Sequence, residues 1–195
     1  MLRNTIKPWY IALITQYDRL RNFILPNLLT RTPYSFHNMP VFAQRTLVRG
    51  EGRIEIGKDC IFGARRGGFH YGGSIELQTR VESARITIGN NVSTNNNIFI
   101  CAACQITIGD YTCIGQNVTI MDFEAHGTAA DKRNEMGDAG SITIHENVWI
   151  GNNVIILKNS EIRANSIVAA GAVVAGVFPA NAIIGGVPAK VIKTL

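Results

Sequence analysis

In residues 142–174, ITIHENVWIGNNVIILKNSEIRANSIVAAGAVV, an aliphatic side chain returns at every sixth position: Ile144, Ile150, Ile156, Ile162, Val168 and Val174. Four residues after each of the first five stands a smaller companion: Val148, Val154, Ser160, Ser166 and Ala172. Upstream the beat runs Ile88, Thr94, Ile100, slips by two residues, and resumes at Ile108, Ile114, Ile120. The companions there are Val92, Ile98, Cys104, Thr112 and Val118. The units IGNNVS, IGDYTC, IGQNVT and IGNNVI share one plan: aliphatic, Gly, two polar residues, small residue, variable residue. A period of six fits neither an amphipathic helix nor a hairpin; it fits a short strand and a turn, repeated. Gly, Asn and Asp supply the turns, because they tolerate positive φ. Three units close a coil, and coils stack about 4.8 Å apart through parallel strand pairing. The expected fold is an all-β, parallel β-helix of hexapeptide repeats, its inward side chains filling a narrow prism.

Composition agrees with that core. Hydrophobic residues make up 46% of the 195-residue chain but aromatics only 8%, so the interior must be built from Ile, Val and Ala. No apolar run approaches the roughly 18 residues of a membrane span. The first residues lack the small-residue cleavage site of a signal peptide, and a cytoplasmic location follows as the default. CAAC at 101–104 has no second Cys-x-x-Cys to complete a zinc set, and Cys104 falls on the apolar beat, where a thiol acts as a small hydrophobe.

The first 48 residues read differently. Ile6, Trp9, Tyr10, Leu13, Ile14, Tyr17, Leu20 and Ile24 recur at spacings of three and four, a helical stripe ended by Pro26. Residues 27–48 read as an irregular connector. Arg3, Lys7, Arg19, Arg21, Arg31, Arg45 and Arg49 face Asp18 alone in residues 1–50, a net of +6 in a chain of +5. Charge so local argues against a general nucleic-acid surface. One reading packs the stripe on the coils; the other rests residues 1–25 on an anionic membrane, making the protein peripheral at its inner face. The helix covers one open end of the stack, and the tail over 179–195 the other. The chain thus divides into residues 1–48 and a coil domain over 49–195.

The beat fails once at length, in MDFEAHGTAADKRNEMGDAG, residues 121–140. A smooth prism has few concavities, and a polar loop projecting over 121–141 is where chemistry is expected. His126 is its only imidazole, the side chain best suited to take and return a proton near neutral pH. Asp122, Glu124 and Glu135 are candidates to orient that ring, or else are solvated carboxylates. His145 reads as a turn residue. His70, in GGFHYGG, lies in a Gly-rich loop that would border an acceptor pocket.

From the repeat, the His-bearing loop, VWIG, GA-VV and G-PAK-I, in that order over roughly 86–193, the chain resembles the hexapeptide-repeat acyltransferases. Within them it is most similar to the maltose, galactoside and polysaccharide O-acetyltransferases. The resemblance implies a left-handed coil, a homotrimer with active sites between subunits, and acetyl-CoA as donor without a metal. It implies a sugar or glycan acceptor, as in O-antigen, capsule or exopolysaccharide synthesis. By the same resemblance His126 is the base and Asn95 contacts the acceptor. Trp149, Asn152 and Ala170 line the donor groove, and Lys190 lies near the CoA phosphates. Ala175 and Gly176 stand where similar chains often carry Thr-Lys, so phosphate contacts would come from elsewhere, such as Lys158 or Lys193. N-acetylation of an amino-sugar nucleotide or an antibiotic is the alternative reaction. A non-catalytic scaffold is the alternative class, though it would not need the His-bearing loop. A carbonic-anhydrase-like reading would need three histidines on adjacent coils, and His70 is remote from His126 and His145.

Overall fold

The computed structural model describes residues 8–195. Ile6, Arg3 and Lys7 of the helical and basic readings lie outside the described residues. The strands form three sheets of seven, eight and six members, parallel except for the last strand of the second, and each coil contributes one strand to each sheet in turn. The first sheet starts at Tyr34–Phe36, the second at Val41–Phe42 and the third at Thr46–Gly50. The architecture is a left-handed parallel β-helix with an N-terminal helix.

Register explains the beat. Ile108, Ile144 and Ile162 pair in the first sheet, Ile114, Ile150 and Val168 in the second, and Ile120, Ile156 and Val174 in the third. All are buried. Each such side chain contributes about 1.5–3 kcal/mol of burial. The second polar residue of the unit turns the corner in the left-handed region, as at Asn91, Asn117, Asn147, Asn153 and Asn165, with φ between 54° and 59°. Their amides form ladders along the corners, Asn97 to Asn117 to Asn153 at 2.8 Å each. At Gly151 the next coil comes so close that a Cβ would lie 2.7 Å from the Ala170 nitrogen.

Three expectations change. Cys104 is exposed, not a core thiol. The strand Ile98–Ala102 keeps the length of Thr46–Gly50 and Ile75–Thr79 before the later strands of its sheet shorten, and after the two-residue slip the inward companion is Ile106, paired with Ile86 and Ile142. Residues 27–48, read as a connector, carry the first coil: Tyr34–Phe36, Val41–Phe42 and most of Thr46–Gly50. That coil lacks the Gly-Asn turn and so has no beat to read.

The helical stripe is the third. Helix α1 spans Pro8–Arg19 and continues through a π-turn, Leu20–Ile24, to Asn27. Trp9, Leu13, Tyr17, Leu20 and Ile24 stay exposed. What covers the stack is the other side of the segment. Phe23 stacks on Phe42 at 4.2 Å, and Phe42 on Phe62 at 5.6 Å, a column of rings closing the prism. Asn22 donates to the Phe42 carbonyl, Asn27 to Thr46, Thr30 to Val48 and Thr32 to Gly50, satisfying the first coil's open edge. At the far end Ala189–Thr194 pairs antiparallel with Ala182–Gly186 and covers the second sheet alone. No helix among the described residues is long and apolar enough to cross a membrane.

Candidate active site

The loop between Thr119–Met121 of the third sheet and Ile142–Ile144 of the first is a built hairpin. Its two arms are joined by Glu124 to Asp138, Gly137 to Glu124 and Gly127 to Glu135 backbone hydrogen bonds. Phe123 is buried against Cys101 and Ala103 at its base. Asp122 is buried there too, and its carboxylate accepts the Ala103 N–H at 2.6 Å and the Cys104 N–H at 3.0 Å. Burial pushes its carboxyl above the usual carboxylate range, against the pull of those backbone donors. Asp122 therefore anchors the loop and does not orient His126. Glu124 is likewise committed, to Lys158 at 2.9 Å. That ion pair also occupies one of the cations offered as a phosphate contact. The Glu135 side chain makes no hydrogen bond or ion pair among the described residues, while its backbone N–H reaches Lys132.

His126 sits exposed on this hairpin, with Nδ1 2.6 Å from the Arg133 carbonyl oxygen. A carbonyl only accepts, so Nδ1 carries the hydrogen in that bond. In the neutral ring Nε2 is then an open lone pair directed away from the anchor. The orienting partner is a backbone oxygen, which no side-chain identity announces.

A second group of residues gathers elsewhere. Asn95, Trp149 and Asn152 line a groove of about 310 Å³ with Ala64, Cys113 and Gly115, on the second sheet and its corner toward the third. Trp149 is 57% exposed, stacked in register between Cys113 and Ile167. Asn152 also accepts the Gln116 N–H at 2.9 Å, so part of its role is to join coils. Ala170 is exposed on the same corner, one coil further. Lys190 is exposed on the closing strand, paired with Gly185. Ala175 and Gly176 instead fall on the corner between the third and first sheets, the corner of the His126 hairpin. Within one subunit, then, base and groove occupy different corners. The hairpin's own cavity, about 350 Å³ beside Lys132 and Met136, does not include His126.

The family described as "Bacterial transferase hexapeptide (six repeats)" matches residues 141–176. Over 175 residues the chain is 30% identical to a putative lipopolysaccharide biosynthesis O-acetyl transferase, WbbJ, of Escherichia coli K12, covering 85% of this chain and 83% of that one. The chain belongs to the hexapeptide-repeat acetyltransferases. Another member, the galactoside O-acetyltransferase of the same organism, is 37% identical over 114 residues, 57% of this chain; the chain spans about half of that relative's length, 55%. In structure the fold is shared with a single-residue mutant of AntD, an N-acyltransferase from Bacillus cereus, at a TM-score of 0.61, 17% identity and 87% of each chain. It is shared also with the polySia-specific acetyltransferase NeuO, at a TM-score of 0.59, 19% identity, 85% of this chain and 78% of that one.

Proposed function

We propose that this hexapeptide-repeat protein is an acetyl-CoA-dependent O-acetyltransferase acting on a sugar hydroxyl in cell-surface polysaccharide synthesis. The observation that carries the reading is the His126 ring, held at Nδ1 by Arg133 and open at Nε2 on the one hairpin that interrupts the inward beat. His126 Nε2 takes the hydroxyl proton as the sugar oxygen attacks the thioester carbonyl. The C–O bond forms, the C–S bond breaks, and the imidazolium returns the proton to the departing sulfur. The Arg133 carbonyl stabilises the ring while it is charged, the part a carboxylate plays elsewhere.

Because base and groove occupy different corners of one chain, the working site is read as shared: His126 from one subunit, and Asn95, Trp149 and Asn152 from its neighbour, in a homotrimer. The coil unit that bears it begins at Tyr34, and the preceding segment caps it. The exposed stripe of that segment, flanked by Arg19 and Arg21, supports contact with an anionic membrane surface beside a membrane-bound acceptor. Serine at Trp9, Leu13 and Tyr17 spares the capping Asn22, Phe23 and Asn27; vesicle binding that survives this triple change discards the membrane contact.

The chemistry is tested by thiol release from acetyl-CoA with a panel of glycans, products read by mass. A base of this kind contributes about 10²–10⁴ in rate. His126→Asn is expected to lose that much turnover with little change in acetyl-CoA affinity. A variant keeping more than about a tenth of wild-type transfer refutes the base assignment.

A further inference from the structure

A cavity of about 630 Å³ lies between the capping segment, the first coil and the loop that follows Ile61–Phe62. Arg21 and Arg45 line it from two sides, with His70, Gly72, Gly73 and Ser74 of the loop. Its lining contains no carboxylate. Neither the Arg21 nor the Arg45 side chain makes a hydrogen bond or ion pair among the described residues, and the His70 Nδ1 atom is buried without a partner. Asp18, the one acid of the first fifty residues, is already taken by Arg65. The Ser74 hydroxyl is held by Glu76 at 2.9 Å. Two unpaired guanidiniums facing one space repel each other, and a buried unpartnered nitrogen is a cost in itself. An anion held between the two guanidiniums relieves that repulsion, with His70 in the wall beside it. Guanidinium forks match phosphate oxygens in paired hydrogen bonds. At Gly72 nothing lies within 4 Å of an added Cβ, so the backbone is open to a close ligand.

The wall of the cavity is firm. Gln44 donates to the Phe69 carbonyl at 2.7 Å, and Asn96 donates to both Ala64 and Gly68. The same loop faces two ways: His70 to Ser74 line the cavity, and Ala64 lines the groove of Asn95 and Trp149. Cavity and groove thus share one corner, with Ala43 on the first coil and Asn95 on the third. Two coil spacings separate these levels, about 10 Å. A pyranose carrying an extended diphosphate spans that gap from ring hydroxyl to outer phosphate, and a monophosphate covers most of it.

We propose that this cavity binds the phosphate or diphosphate group of a phosphorylated sugar acceptor and sets its sugar beside Asn95. This rests on the acetyltransferase reading for the acceptor, but the anion site itself is tested without turnover. Titrating the full chain with inorganic pyrophosphate in a calorimeter should give saturable binding. Arg21→Gln and Arg45→Gln should each weaken it about tenfold, the scale of one charge-assisted contact. Lys at either position should weaken it less, and Arg163→Gln, on the first sheet, should leave it unchanged. Matching thermal melts guard against misfolding. Competition by UDP-N-acetylglucosamine would identify a soluble phosphorylated acceptor; competition by phosphatidic acid in phosphatidylcholine vesicles would identify a lipid phosphate. No saturable binding, or binding indifferent to both arginine changes, overturns the proposal. Pyrophosphate binding without acetyl transfer to any glycan would leave the anion site standing and remove the enzymatic reading; acetyl transfer without pyrophosphate binding would do the reverse.

Discussion

Two loops break the same prism, and each carries a single histidine. The loop over 63–74 lies down along its corner, tied by Gln44, Asn96 and the Arg65–Asp18 pair. The hairpin over 122–141 stands up from its corner, rooted by Phe123 and Asp122. In the first, His70 lines a basic cavity with its Nδ1 buried and unpartnered; in the second, His126 has one nitrogen fixed and the other free. The difference lies in partners: a backbone carbonyl fixes the His126 ring at Nδ1, and none holds the His70 Nδ1.

The largest expected difference between the two lies in kinetics. His126→Asn should act on kcat, by about 10²–10⁴. His70→Asn should instead raise KM for a phosphorylated sugar acceptor severalfold, with kcat nearly untouched. Steady-state rates for both variants separate the roles; a His70→Asn enzyme whose kcat falls as far as that of His126→Asn would make the two loops one catalytic unit.

A second difference concerns what the ring column under the capping segment and the exposed stripe along it each do for stability. Phe42→Ala removes the middle ring of the column Phe23, Phe42 and Phe62 and should cost about 3–5 kcal/mol. Leu13→Ala, on the exposed stripe, should stay within about 0.5 kcal/mol. Denaturant melts of both variants report this, and a large loss at Leu13 would mean that the stripe is covered in solution.

The smallest effect belongs to the hairpin's root. Asp122 has a carboxyl raised by burial, so its folded-state value lies above the unfolded one. Its contribution to stability is then fullest below the ordinary carboxylate pKa and declines as pH rises through the raised value. Asp122→Asn should flatten that decline. Melts from pH 3 to 8 compare the two chains; an unchanged slope removes the burial argument.

Much of the fold was legible because an inward side chain every sixth residue leaves no room for another one. The loop that carries His126 was legible for the same reason, standing in the gap between two runs of the beat. Where the beat was ragged, reading failed in specific ways. Cys104 was misplaced because a two-residue slip does not say which strand absorbs it, and Ile98–Ala102 does. The first coil was missed because Phe42 and Asn27, not Gly-Asn turns, organise it. Asp122, four residues from a loop histidine, read as an orienting acid when it is an anchor. The Arg133 carbonyl could not have been found at all, since every residue has one. The exposed stripe shows the limit of periodicity, which says that a face is apolar but not what meets it.

If two corners of different subunits make one site, two inactive forms should restore each other when mixed: His126→Asn, and Asn95→Ala with Trp149→Ala. Co-expressed with separate tags and purified as hybrids, the pair should regain about a third of wild-type acetyl transfer, because each mixed cyclic trimer has one interface in three with an intact base facing an intact groove. Hybrids no more active than the sum of their parents would contradict the account.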